Sequence, residues 1–350
     1  MRILSRDQVR ALDARAIAGG VSGVELMCRA CQGLLGAWRT LLGTELQRVL
    51  VLVGPGNNGG DGLGMARLLR DQGHRVRVWL AVPPERVRGD AAEMLRAWQE
   101  SGGALRVCDQ ESDWQVNGCL LPAVDWVVDA LLGTGSTRAP EGTMAAAVRW
   151  MRALRRQARV LAVDLPTGWD ADTGIAFEES CFAGADLTLT LGALKPGLCS
   201  PEAASACGPV YGVDLGVELA WIAAESRSGA RVMDAALARE LLPPRPVNAH
   251  KGSLGHVAVW GGGEGTCGAP LLAATAALQS GAGRVTAFLP EAAAISADVA
   301  RPQIMVLGHR AFPRGADVTV AGPGLTFRDE KEAESQRQLL LTLTGPLVLD

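Results

Sequence analysis

The sequence predicts an α/β protein of two domains, each built around a parallel β-sheet. The 350 residues exceed the roughly 250 to 300 at which a single hydrophobic core stops growing. Short, almost uniformly apolar strings alternate with stretches of helical spacing, an order typical of doubly wound folds. After a charged segment containing PPRP at residues 243–246, the same pattern starts again.

Composition excludes several classes of function. The chain is 48% apolar and 20% charged, the balance of an ordinary globular protein. A formal net charge of -3 provides no basic field for nucleic acid or an anionic membrane. The charged N-terminus lacks the apolar core of a signal peptide, and no stretch reaches membrane-spanning length. We therefore expect a cytosolic protein that binds a small molecule, with no nucleic acid or membrane partner.

The eight cysteines are scattered along the chain, which favours free thiols in a reducing compartment. Cys28 and Cys31 form a C-x-x-C sequence, but no second pair or nearby histidine completes a zinc site. We interpret this pair as structural.

Two helices open the first domain, and each begins with a serine that can cap it. Ser5 with Gln8 and Ser22 with Glu25 have the spacing of capping boxes. Apolar strings then predict strands over residues 49–54, 76–82, 126–130, 160–163 and 187–191. Helical spacing predicts helices over about 63–72 and 144–156, the first of them after a glycine-rich turn.

The domain boundaries follow from composition. Residues 1–222 form the first domain and residues 223–248, with their charges and prolines, a linker. The second domain, residues 249–350, begins with a strand over 256–260, a glycine-rich loop, a helix ending near Ser280 and a strand over 285–289. Its last string, residues 346–350, has the apolar character of an interior strand.

The strongest functional signal is GPGNNGGDG at residues 54–62, between a buried strand and a helix. Its glycines satisfy G-x-G-x-x-G, although that dinucleotide pattern alone is weak and a plain glycine-rich turn is an alternative. No acidic residue ends the next strand to bind a ribose, and no Lys-Ser or Lys-Thr follows to make a Walker loop. The side-chain oxygens of Asn57, Asn58 and Asp61 suit a cation or sugar hydroxyls better.

Two more strands end on polar residues. Asp129 precedes the loop GTGSTRA at residues 133–139, and Asp164 is followed by Thr167 in DLPTGWDADTG. Alone, a strand-end aspartate such as Asp129 is commonly a turn or helix cap. Together, the three strand ends place Asn58, Asp129, Asp164 and Thr167 along the edge of the sheet where ligands bind.

In combination, GNNGGDG, VDALLGTG and DLPTGWDADTG make residues 5–220 resemble the NAD(P)H-hydrate epimerases, the YjeF N-terminal family. The resemblance implies a Rossmann-like, three-layer, doubly wound domain that interconverts the R and S forms of NAD(P)H hydrate at C6. It implies substrate contacts from Asn57, Asn58, Gly59, Gly60, Asp61, Gly133, Thr134, Gly135, Ser136, Thr137, Arg138, Ala139 and Asp164.

The same resemblance implies a potassium ion bound by Asn58, Asp129 and Thr167, and a homodimer or higher homo-oligomer. One carboxylate, Asp129, would balance a monovalent ion. The sequence departs from the family at Cys28 and Cys31, which stand where LMERAG has a glutamate and a glycine. The resemblance therefore does not assign the contacts made around residues 26–31.

The chemistry of the hydrate agrees with this assignment. The ring nitrogen can expel the C6 hydroxyl as water and leave a planar iminium, to which water returns on the opposite face. A carboxyl group that acts first as acid and then as base can move both protons. We expect Asp164 to be this catalytic residue.

The second domain resembles the ADP- or ATP-dependent NAD(P)H-hydrate dehydratases, which have a ribokinase-like α/β fold. The matching segments are HKGSLGHVAVWGGG (250–263), GAPLLAATAALQSGAG (268–283), RPQIMV (301–306) and VAGPGL (320–325). By resemblance, Ala269 and a turn containing Gly322 and Gly324 line the substrate site. Gln303 and Thr326 replace a usual glutamate and glycine.

The family's later GxGD element, which supplies a catalytic aspartate and part of the nucleotide site, has no counterpart after residue 250. We therefore expect an incomplete ribokinase-like domain, less stable than the first, that cannot dehydrate the hydrate. ADP or ATP would serve only a complete dehydratase domain.

The residues also allow two other functions. The first domain could bind a nucleotide without chemistry, since one fold serves many functions. It could also be an NAD-dependent dehydrogenase using Gly54, Gly56 and Gly59, which predicts tight binding of intact NAD. The presence of both Asp129 and Asp164 favours the epimerase.

Overall fold

The computed structural model describes residues 2–114, 123–217, 221, 230–242, 244–290, 300–309, 315–327 and 329–350. The chain divides into two compact units, Met1–Leu241 and Leu242–Asp350. The division falls inside the predicted linker, of which residues 223–229 and 243 lie outside the described residues.

A parallel sheet forms the centre of the first unit. Its strands are β1 (Arg48–Val53), β2 (Arg75–Leu80), β3 (Leu105–Val107), β4 (Trp126–Ala130), β5 (Arg159–Val163), β6 (Leu187–Leu191) and β7 (Val210–Val213). They lie in the order β3-β2-β1-β4-β5-β6-β7. The direction of winding reverses between β1 and β4, and ligands of such sheets bind beyond the carboxyl ends of the strands at this point.

Seven helices belong to the described part of this unit, and four of them pack on the two faces of the sheet. The seven are α1 (Arg6–Ala18), α2 (Gly23–Leu42), α3 (Asn57–Asp71), α4 (Asp90–Glu100), α5 (Gly142–Leu154), α6 (Ala203–Ala206) and α7 (Ala235–Leu241). Val49, Val51 and Val53 of β1 belong to an apolar cluster with α2, α3 and α4. Leu50 and Leu52 point the other way, into a cluster with α5. The alternation confirms the predicted three-layer, doubly wound unit.

One of the two predicted capping boxes is complete. The Ser5 hydroxyl accepts from the Gln8 amide while the Gln8 side chain accepts from the Ser5 amide. Ser22 also caps its helix by accepting from the Glu25 amide. The second half of this capping box, a hydrogen bond from the Ser22 amide to the Glu25 side chain, was predicted wrongly. The Glu25 carboxylate pairs with Arg29 instead.

The helix predicted from about residue 63 begins earlier, at Asn57, so residues 57–62 of the glycine-rich segment are helical and only residues 54–56 form the turn. Close packing explains the glycines. A Cβ atom on Gly59 would lie 2.1 Å from the Gly54 carbonyl oxygen, and one on Gly62 would lie 2.3 Å from the Ala130 Cβ. The glycines therefore let α3 start directly against the ends of β1 and β4.

The second unit contains a smaller parallel sheet. Its strands are β8 (His256–Trp260), β9 (Arg284–Leu289), β10 (Met305–Gly308), β11 (Val318–Ala321) and β12 (Leu347–Leu349), and its helices are α8 (Gly268–Gln279) and α9 (Glu330–Leu340). The strand order is β10-β9-β8-β11-β12. The apolar string at 346–350 contains β12, which pairs with β11 and, among the described residues, with no other strand. Its three residues are exposed, so this apolar strand is an uncovered edge of the sheet. Within the described ranges, no helix is long and apolar enough to cross a membrane.

Candidate active site

A cavity of about 500 Å³ lies beyond the carboxyl ends of the central strands of the first unit. Its volume is in the range of small-molecule sites. Its walls include eight of the residues predicted to contact substrate, namely Asn57, Asn58, Asp61, Gly133, Thr134, Gly135, Ser136 and Asp164. The sheet edge predicted from the sequence and the cavity therefore coincide.

Other predicted contact residues lie outside the walls of this cavity. Gly59 and Gly60 are buried, and a Cβ atom on Gly60 would lie 2.6 Å from the Met27 Sδ. Thr137 and Arg138 are exposed, and Arg138 lies 3.8 Å from Glu141. Substrate contact by Gly59, Gly60, Thr137, Arg138 and Ala139 stays a prediction.

The geometry of Asp164 is set by its backbone and by its neighbours. Its φ of +67° is the one left-handed value among the described non-glycine residues, and aspartate tolerates this region better than most side chains. The Thr134 amide donates to Oδ2 at 2.9 Å, and the Thr134 hydroxyl donates to the same oxygen. Lys195 Nζ donates to Oδ1 at 2.5 Å. The carboxylate is therefore held firmly in the cavity wall.

Lys195 is the main residue of this site that sequence reasoning missed. Its side chain is 1% exposed, and its ammonium group also donates to the Thr190 hydroxyl and the Leu191 carbonyl, both at 2.9 Å. All three N–H groups are thus used. The available signal was a lysine shortly after the predicted strand at 187–191, but nothing in the neighbouring sequence distinguishes it from a surface lysine.

Burial and charge shift the pKa values of two aspartates in the cavity wall in opposite directions. Burial raises the pKa of Asp164, but attraction to Lys195 and the hydrogen bonds from Lys195 and Thr134 outweigh it and hold the pKa below its usual value. Burial, with repulsion from Asp164 and Asp13, raises the pKa of Asp61 well above its usual value. Asp164 is therefore ionised in a larger fraction of molecules than an ordinary aspartate is at the same pH. Asp61, in contrast, is protonated in a larger fraction of molecules than an ordinary aspartate is.

Asp13 belongs to helix α1, which reaches over this sheet edge. Arg6 Nε donates to the Thr134 carbonyl at 2.9 Å, and Arg10 donates to the Gly135 carbonyl at 3.3 Å. The side chain of Asp13 is exposed but lines the cavity. Partial removal from water raises its pKa to about 6, while Lys195 lowers it and Asp164 raises it.

Two of the three residues predicted to bind potassium, Asp129 and Thr167, contact each other directly. Asp129 is fully buried and accepts hydrogen bonds from the Thr167 hydroxyl at 2.7 Å and the Thr167 amide at 2.8 Å. Burial raises the pKa of Asp129 despite these bonds. The third, Asn58, lies near Gly133, where a Cβ atom would be 3.1 Å from its Oδ1. Both polar atoms of the Asn58 side chain are buried and have no hydrogen-bond partner among the described residues.

The cysteine that departs from the family pattern packs against α3. A Cβ atom on Gly64 would lie 2.2 Å from the Cys31 Sγ, and the Cys31 thiol donates to the Asp61 carbonyl at 3.5 Å. Cys28 is exposed. Cys31 thus fills the space beside the glycines of α3, in keeping with a structural role for this cysteine.

In the second unit the structure brings Ala269 and Gly324 together. Gly324 has a φ of +62°, and a Cβ atom there would lie 3.1 Å from the Ala269 Cβ. The Gly324 carbonyl accepts from the Thr266 hydroxyl at 2.6 Å, and the Gly262 amide donates to the Pro323 carbonyl at 2.9 Å. The turn at 322–324 therefore packs on the loop after β8. Gly322, with a φ of +118°, faces Asp350.

Known proteins resemble both units. The family described as YjeF-related protein N-terminus matches residues 23–197, and the one described as NAD(P)H-hydrate dehydratase matches residues 257–350. The bifunctional NAD(P)H-hydrate repair enzyme Nnr of Moorella thermoacetica is 37% identical over 87% of this chain and 59% of its own length. The Coxiella burnetii enzyme of the same name is 36% identical over 98% of this chain and 68% of its own. The NAD(P)H-hydrate epimerase of Pirellula staleyi is 38% identical over 62% of this chain and 93% of its own.

The doubly wound unit with its acidic cavity is thus of the YjeF-related class, joined to a region of the dehydratase class. The chain belongs to the family of bifunctional NAD(P)H-hydrate repair enzymes. It spans 59% of the Moorella enzyme.

Proposed function

We propose that the first domain, residues 1–222, epimerises the R and S forms of NAD(P)H hydrate at C6. The observation that carries the proposal is Asp164, a buried carboxylate that two neighbours fix in the wall of a cavity at the switch point of the sheet. The ionised carboxylate takes a proton from the water that attacks C6. Once protonated, it gives a proton to a departing C6 hydroxyl.

Direct interconversion of the two epimers tests this function. Each epimer of NADPH hydrate is purified by chromatography and incubated with the protein, and the appearance of the other is followed against a protein-free control. We expect either epimer to reach the same equilibrium mixture faster than in the control. Equal rates with and without protein would overturn the proposal. Tight binding of intact NAD, measured by difference spectroscopy, would favour the dehydrogenase.

We also propose that Asn58, Asp129 and Thr167 bind a potassium ion beside this cavity. The buried amide of Asn58, which lacks a partner among the described residues, supplies an oxygen suited to such an ion. The Thr167 hydroxyl and the Asp129 carboxylate supply a neutral and a charged oxygen. A bound cation would keep Asp129 ionised and would fix the loops that hold the substrate.

Asp129→Ala is expected to weaken potassium activation of the epimerase by roughly 10-fold or more, by analogy with lost support of a metal site. It should also raise the KM for NADPH hydrate, because the Thr167 turn loses its anchor. Activity is measured as potassium replaces tetramethylammonium at constant ionic strength. Asp125→Ala is the control, since Asp125 precedes the other end of β4 and pairs with Arg48 at 2.6 Å. Unchanged potassium activation in a folded Asp129→Ala protein would contradict the assignment.

We propose that the second domain, residues 249–350, holds part of a nucleotide-dependent NAD(P)H-hydrate dehydratase site and that residues 223–248 link it to the first domain. The contact between Ala269 and the turn at 322–324 supports a shared substrate wall there. Incubation with hydrate and ADP or ATP, followed by recovery of NADH absorbance, measures whether this chain has the activity.

A further inference from the structure

Asp61 differs from the other buried aspartates of the site. Its side chain is 7% exposed and lines the cavity. The described residues form no hydrogen bond or ion pair with its carboxyl group, whereas Asp129 and Asp164 each accept several hydrogen bonds. Leaving a buried polar group without a partner is costly unless a ligand satisfies it. The carboxyl group of Asp61 is therefore available to a molecule in the cavity.

The topology places Asp61 and Asp164 on opposite sides of one strand end. Asp61 lies near the start of α3, which follows β1, and Asp164 directly follows β5, with β4 between these strands. Neighbouring strands are about 4.8 Å apart, so the two chain segments are separated by roughly 10 Å. Gly133, in the loop after β4, packs closely against Asp164, because a Cβ atom there would lie 2.9 Å from the Asp164 Oδ2. Gly133, Asp61 and Asp164 all line the same cavity. A flat ring bound over the end of β4 would have one carboxyl group on each face.

We propose that Asp61 is a second catalytic residue of the epimerase, acting on the face of the nicotinamide ring opposite to Asp164. The proposal rests on the epimerase function proposed above and adds a separate proton carrier for each face. Inverting glycosidases use a comparable arrangement, with acid and base on opposite ring faces roughly 6.5 to 9.5 Å apart and a water between.

In one direction, Asp61 gives its proton to the C6 hydroxyl, the C6–O bond breaks, and water leaves as the nitrogen lone pair forms the N=C6 bond. A second water then attacks C6 from the other face and gives its proton to Asp164, while the N=C6 electron pair returns to nitrogen. The enzyme is left with Asp61 ionised and Asp164 protonated. This form catalyses the reverse conversion, as microscopic reversibility requires.

The charges around the cavity favour the starting form. Asp61 faces Asp13 and Asp164, which oppose its ionisation, and Lys195, which favours it. The balance, with burial, keeps the pKa of Asp61 high, whereas Lys195 keeps the pKa of Asp164 low. Two carboxyl groups whose pKa values are driven apart can take opposite roles in one reaction.

The first test is Asp61→Asn, which keeps the size and polarity of the side chain but removes its proton transfer. We expect kcat for epimerisation to fall by about 100- to 10,000-fold, with the affinity for NADPH hydrate, measured by calorimetry, within about threefold. Asp71→Asn is the matched control, because Asp71 is an exposed aspartate on the same helix. Its kcat should equal that of the unchanged protein. A kcat of Asp61→Asn within about threefold of the unchanged protein would overturn the proposal.

The second test follows oxygen. The S epimer is incubated with the unchanged protein in water enriched in oxygen-18, the reaction is stopped early, and mass spectrometry is applied to each epimer. Because the departing and attacking waters lie on different faces, we expect the R epimer formed to carry the label. Unlabelled R epimer would show that the departing oxygen itself returns to C6 on the other face and would reject the role of Asp61.

The two tests separate this inference from the function on which it rests. If the unchanged protein does not interconvert the epimers, the epimerase proposal itself fails. If it does so while Asp61→Asn stays active, or while affinity rather than kcat is lost, only the role of Asp61 fails and the residue is a binding contact.

Discussion

Asp164→Asn is expected to slow epimer interconversion by about 100- to 10,000-fold, the usual effect of removing a general acid or base. The substitution keeps the shape of the side chain, and asparagine also tolerates the left-handed backbone that Asp164 adopts, with its φ of +67°. The amide of Thr134 still has an oxygen to which it can donate. What is lost is the negative charge and the proton-carrying oxygen.

The measurement compares initial rates for both epimers at saturating hydrate. Asp109→Asn is the control, because Asp109 follows the edge strand β3 at the same edge of the sheet but does not line the cavity. Both proteins are assayed below their unfolding transitions, since Asp164→Asn leaves Lys195 without its partner. A rate within about threefold of the unchanged protein would remove Asp164 from the reaction, because such a change is under 1 kcal/mol.

The sheets could be predicted because their strands are buried on both faces. The strings at 126–130, 187–191 and 256–260 coincide with β4, β6 and β8, since a parallel strand covered on two sides must be apolar at nearly every position. The start of α3 was missed because glycine disfavours helices. The tight contacts of Gly59 and Gly62 show that packing against β1 and β4 overrides that preference.

The candidate active site could likewise be predicted only in part from the sequence. Asp129 and Asp164 end recognisable strands, so their edge of the sheet follows from the sequence. Lys195 is 31 residues from Asp164 in the chain, and Asp13 comes from a helix before the first strand. Such partners are defined only by the packed structure. Protonation states are equally inaccessible to sequence, because they depend on burial and on the charges that folding brings together.

Lys195→Met is expected to lower the free energy of unfolding of the first unit by about 3 to 5 kcal/mol, because it leaves the carboxylate of Asp164 buried without its cation. Asp164→Asn leaves the opposite charge unpaired and should cost a similar amount. The double variant removes both charges, so its loss should be smaller than the sum of the two single losses. Urea unfolding followed by tryptophan fluorescence measures this, since eight of the nine tryptophans, all except Trp260, lie in the first unit.

Lowering the pH should remove the contribution of the Asp164–Lys195 pair to the free energy of unfolding. The folded-state pKa of Asp164 lies below its usual value, so the pair contributes its full stability above the unfolded pKa of about 3.9. That stability is lost as pH falls through the lower, folded-state pKa. Arg155→Met is the control, because Arg155 pairs with Asp186 at 2.6 Å with side chains 31% and 36% exposed, and such pairs contribute at most about 1 kcal/mol. If Lys195→Met cost no more than Arg155→Met, or if the two single losses simply added, the buried pair would not hold the site together.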